Sequence, residues 1–85
     1  MYEYQTERFK LFTEEGQIAF LKIRDNVKRL LNTAGAFTME KAIQGSSVPS
    51  WLQLACVDYL VELNEIMEIT KKGTVAGQDR VFVSI

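Results

Sequence analysis

The chain has 85 residues, 47% hydrophobic and 25% charged, with a formal net charge of −1. That length suits one domain, which at this size buries at best about two thirds of its unfolded surface. The charged fraction is that of a folded protein and argues against disorder, and the near-zero balance argues against a dedicated nucleic-acid binder unless charge is segregated onto one face.

Residues 2–12 carry the β-favouring side chains Tyr2, Tyr4, Thr6, Phe9, Leu11 and Phe12. They are expected to form an extra N-terminal strand or an arm, with Phe9 and Leu11 on one face of such a strand and Tyr2, Tyr4 and Phe12 on the other. Thr13 is a good N-cap, followed by Glu14 and Glu15 in the favourable first turn of a long helix. At about 100° per residue, Phe20, Ile23, Val27, Leu30, Leu31 and Ala34 form its apolar stripe, and Gly35 is its expected stop. Ile18 and Leu21 fall on the far side and call for a second contact, for which the N-terminal segment is the nearest candidate.

Thr38 caps a short second helix from Met39 to about Gln44, and Gly45-Ser46-Ser47 makes a turn. Pro49 fits the first position of a third helix running to about Leu63, with Asn64 in the left-handed position that ends it. After that the period changes to two. Ile66, Met67, Ile69 and Val75, then Val81, Val83 and Ile85 on one face, predict a β-hairpin with a loop of several residues.

Strand or arm, long helix, short helix, turn, helix and hairpin make an α+β pattern. Val57 to Ile66, with two leucines three apart before an Asn turn and a strand-starting isoleucine, resembles the end of a recognition helix in the winged helix-turn-helix superfamily. Gly35-Ala36-Phe37-Thr38 resembles the short link between the first two helices of that superfamily. The resemblance covers residues 14–85, and implies a winged-helix domain over 13–85 with residues 1–12 outside it. It bears on fold far more than on function.

No catalytic or cofactor chemistry is legible. There is no histidine, so the commonest general base and metal ligand is missing, and one cysteine cannot supply a zinc cluster or an internal disulfide. Gly73 and Gly77 lie in the hairpin, not in a phosphate loop. Cys56 is expected to behave as a small buried hydrophobe. No apolar run approaches the roughly 20 residues of a membrane span, and Met1-Tyr2-Glu3-Tyr4 does not read as a signal peptide, so a cytoplasmic location is expected.

The winged-helix resemblance implies DNA, but the charges oppose it. From Ala42 to Thr70 there is no Lys or Arg, only Asp58, Glu62, Glu65 and Glu68, and carboxylates facing phosphates are repelled. The third helix is apolar nearly all round. Leu52, Cys56, Tyr59, Leu60 and Leu63 make a core stripe, and Leu54, Val57 and Val61 a second face, with Trp51 at its start. The expected function is therefore a non-enzymatic module working by protein–protein contact or as a homodimer. Trp51, Leu54, Val57 and Val61 would form the apolar patch and Asp58 and Glu62 its acidic rim. The alternative is a DNA-binding regulator with Lys71, Lys72 and Arg80 at phosphates and Ser50 and Gln53 near bases.

Overall fold

Capping residues set the boundaries of the long helix. In the computed structural model, which describes residues 1–85, Thr13 Oγ1 accepts from the Gly16 N–H at 3.0 Å and starts helix α2, Glu14–Ala34. Gly35, at φ 75°, ends it with its N–H on the Leu31 carbonyl. The buried side of α2 is Ala19, Phe20, Ile23 and Val27. Thr38 Oγ1 in turn accepts from the Lys41 N–H and starts the one-turn helix α3, Met39–Ala42.

Pro49 sits one position before helix α4, Ser50–Glu62, rather than inside it. Asn64 takes φ 60°. The Glu65 N–H then donates to the Leu60 carbonyl and the Asn64 N–H to the Val61 carbonyl, both at 3.0 Å. That double closure stops the helix and turns the chain directly into a strand.

The chain forms four α-helices and one three-stranded antiparallel sheet. The strands are β1, Ala36–Thr38, β2, Ile66–Glu68, and β3, Val81–Ser84, in the order β1-β3-β2. The sequence predicts the two hairpin strands and places any further strand at residues 2–12. The third is the Gly35–Thr38 link, where Ala36, Phe37 and Thr38 pair with Val83, Phe82 and Val81. On the other side of β3, Ile66, Met67 and Glu68 pair with Ser84, Val83 and Phe82. Phe37, Phe82 and Ile66 point into the core, with the Phe37 and Phe82 rings stacked at 5.4 Å.

The N-terminal residues form no strand. They make helix α1, Tyr4–Glu7, and a 3-10 turn, Arg8–Phe12. Helical spacing brings Glu7 and Leu11, four apart, to the buried side, whereas β alternation had paired Leu11 with Phe9, which is exposed. Leu11 is fully buried between α2 and α4, and the Gln17 amide donates to its carbonyl. The segment lies against the start of α2 so closely that a Cβ at Gly16 would run into the Lys10 carbonyl and approach the Leu11 Cα at 2.8 Å. It does not cover Ile18 or Leu21, which stay more than half exposed. Leu63, expected in the core stripe of α4, is also exposed, because the turn at Asn64 carries the chain away just beyond it. No helix is long and apolar enough to cross a membrane.

Candidate interaction surfaces

Asp58 and Glu62 lie one turn apart on α4, where two free carboxylates would repel each other. Neither is free. The Tyr2 hydroxyl donates to Asp58 Oδ2 at 2.7 Å, and the Tyr4 hydroxyl donates to Glu62 Oε1 at 2.7 Å. Arg8 grips Glu62 with two donors, Nε at 2.8 Å and Nη2 at 2.6 Å. The Arg8 guanidinium first, and the Tyr4 hydroxyl second, hold the Glu62 carboxyl down to about 2. Burial, and hydrogen bonds to these carboxylates, push both phenols above their ordinary range.

Arg80, just before β3, closes the network from the other side. Its Nη2 donates to Asp58 Oδ1 at 2.7 Å and to Glu68 Oε1 at 2.8 Å, and its guanidinium lies 5.2 Å from the Phe82 ring centre. Glu68 is held below the usual carboxylate range, chiefly by Arg80. Around these groups runs a groove of about 640 Å³ between the N-terminal residues, α4 and the β2–β3 loop.

The expected patch on α4 is therefore not presented as one surface. Val57 is completely buried. Leu54 and Val61 are half-buried in the groove that Tyr2 and Tyr4 also line. Trp51 alone stays open, at 42% exposure, at the start of α4 beside Glu7 and Lys10. The physical reason is the N-terminal segment, whose two tyrosines and arginine occupy the outward side of the helix.

The residues expected near DNA also separate. Arg80 is held by two carboxylates and is not a free cation. Gln53 turns its amide back onto the Ser46 and Val48 carbonyls, both at 3.0 Å, and fixes the turn before α4. Ser50, Lys71 and Lys72 are exposed, and neither lysine has a carboxylate partner. Cys56 is fully buried, and burial pushes its thiol up to about 12, so it holds no thiolate at neutral pH. No cluster of acidic or cysteine side chains is arranged to hold a metal ion.

The outer face of the sheet carries a different pattern. Directly opposed residues in antiparallel strands share a face. One row across the sheet is Ala36, Val83 and Met67. The next is Thr38, Val81 and Ile69, the last placed by its N–H donating to the Val81 carbonyl at 2.9 Å. Ile85 extends the same side of β3. Met67, Ile69 and Ile85 are 50%, 57% and 69% exposed, and the other four are half-buried. No residue of either row is charged. Sheets with one open face ordinarily make that face polar.

No protein-family model, curated protein or solved structure matches this chain.

Two groups escaped the sequence reading. Tyr2, Tyr4 and Arg8 meet Asp58 and Glu62 across more than fifty residues, a separation at which no local spacing rule operates. The outer sheet face was written more openly. Val81, Val83 and Ile85 alternate with Phe82, and the single aromatic among them marks the core side, leaving the aliphatic face outward.

Proposed function

We propose that this chain is a non-enzymatic winged-helix module that works by protein–protein contact through the outer face of its sheet. The winged-helix reading is supported by the succession α2, β1, α3, α4, β2, β3 and by the sheet order β1-β3-β2, in which the last two strands form the wing. The contact reading rests on one observation: the two uncharged rows Ala36-Val83-Met67 and Thr38-Val81-Ile69 on a face open to solvent. An apolar face of this kind loses water favourably against a partner and against nothing within its own chain. DNA docking of α4 is disfavoured because its outward side is acidic and occupied by Tyr2, Tyr4 and Arg8.

A photo-reactive residue placed at Ile69 in expressing cells tests this, with Asp25 on the exposed side of α2 as control. The expected result is a covalent adduct to a polypeptide from position 69 and none from position 25. Equal labelling at both positions, or none at either, removes the reading.

Wing-led DNA contact is the second reading, favoured by the unpaired Lys71 and Lys72. It requires salt-dependent affinity for mixed-sequence duplex that drops in a Lys71→Ala/Lys72→Ala variant.

A further inference from the structure

The outer sheet face grades in size from one edge to the other. Ala36 and Thr38 are small and lie on β1, Val83 and Val81 lie on the central strand β3, and Met67 and Ile69 are large and lie on β2. A second identical sheet, turned over about an axis parallel to β3, brings its β2 above the β1 of the first. The large edge of each copy then meets the small edge of the other, and valines meet at the centre. Stacked sheets sit about 10 Å apart, with strand directions within about 30°. Such a twofold contact uses the same patch on both copies. The rows carry no charge, so apposing two copies sets no like charges against each other.

From this self-complementary gradient we infer that the partner of the outer sheet face is a second copy of this chain, which deepens the protein-contact reading and rests on it. Met67 of each copy lies over Ala36 of the other, Ile69 over Thr38, and Val83 and Val81 pack about the axis. With strands of only three or four residues, the face is smaller than one side of a standard interface, which is about 800 Å². Association through it is accordingly weak and concentration-dependent.

Sedimentation equilibrium on the full chain, from about 10 µM to 1 mM, reads this directly, since interfaces of this size lie at the weak end. The dimer fraction rises across that range, and Val83→Lys abolishes it while circular dichroism stays native. Met67→Lys and Ala36→Glu each remain monomeric alone, because each sets a charge against an apolar partner. Mixed one to one, they associate at least about tenfold more tightly than either does alone, because the two substitutions meet across the axis. A chain that is monomeric at 1 mM, a dimer that survives Val83→Lys, or a mixture no tighter than its components overturns the inference. In that event an adduct from position 69 to a different polypeptide still upholds the contact reading, and no adduct at all defeats both.

Discussion

Arg80 joins three parts of the chain. It donates to Asp58 on α4 and to Glu68 on β2, and it lies over the Phe82 ring on β3. Its side chain is about one fifth exposed, so water screens these contacts only in part. Replacing Arg80 by Met keeps most of the stem but leaves two neighbouring carboxylates without their counter-charge. The expected loss is about 2 kcal/mol in urea unfolding, since removing one partner of a partly buried pair costs more than the pair contributes. Asp58→Asn with Glu68→Gln in the Arg80→Met background should recover part of that loss, because the stranded charges are then gone.

Glu62 gives a pH signature at the same scale. Its folded value, about 2, lies below the ordinary glutamate value, and Glu68 is displaced in the same direction. A carboxylate held down in the folded state contributes stability that is fully present above its unfolded value, near pH 4.3, and is lost as pH falls toward 2. Stability should therefore decline from about pH 5 downward. The protection of residues 4–12 against hydrogen exchange should fall with it, because Glu62 takes up a proton at its ordinary value once Arg8 and Tyr4 have let go, and that favours the opened segment. In Glu62→Gln that exchange should already be raised at pH 7.

At the scale of elements, the N-terminal segment is a structural part of the domain. Leu11→Ala empties a fully buried site between α2 and α4 and should cost about 3 kcal/mol. Gly16→Ala sets two effects against each other. Alanine favours a helix over glycine by about 1 kcal/mol, but the new Cβ would meet the Lys10 carbonyl and the Leu11 backbone. Backbone cannot swing aside as a side-chain tip can, so the clash wins. The variant should be destabilised by about 2 kcal/mol, with residues 4–12 the first to lose exchange protection.

The legibility of these elements divided along physical lines. Thr13, Gly35, Thr38 and Asn64 act through bonds to residues three or four positions away, and their roles could be read from order alone. β1 could not, because three residues carry no period and become a strand only by pairing with Val81–Val83 some 45 positions later. The N-terminal strand was misread because β-favouring side chains outweighed the helical spacing of Tyr4, Glu7 and Leu11. The α4 patch, like β1, depends on residues far away in the sequence. Its second apolar face is real in the sequence, but Tyr2 and Tyr4 come from the far end of the chain to line it.

For the whole molecule, the charged surface near α4 is internally compensated, while the outer sheet face is apolar and open. Asp58, Glu62, Glu65 and Glu68 make the stretch from Ala42 to Thr70 acidic in sequence. In the fold Arg80, Arg8 and Arg24 answer these four. The exposed apolar side chains include Phe9, Phe12, Ile18, Leu21 and Trp51, but only on the sheet do they join in uncharged rows across three strands. The proposed contact surface is thus the outer side of β1, β3 and β2 rather than the third predicted helix. Methyl-detected NMR on one sample series tests that most directly, with protein concentration raised stepwise and duplex DNA added at low salt at the end. Rising concentration should move the methyls of Met67, Ile69, Val81, Val83 and Ile85, and neither step should move those of Leu54, Val57 and Val61. Shifts confined to α4 and the β2–β3 loop, appearing with DNA and absent with concentration, would contradict this.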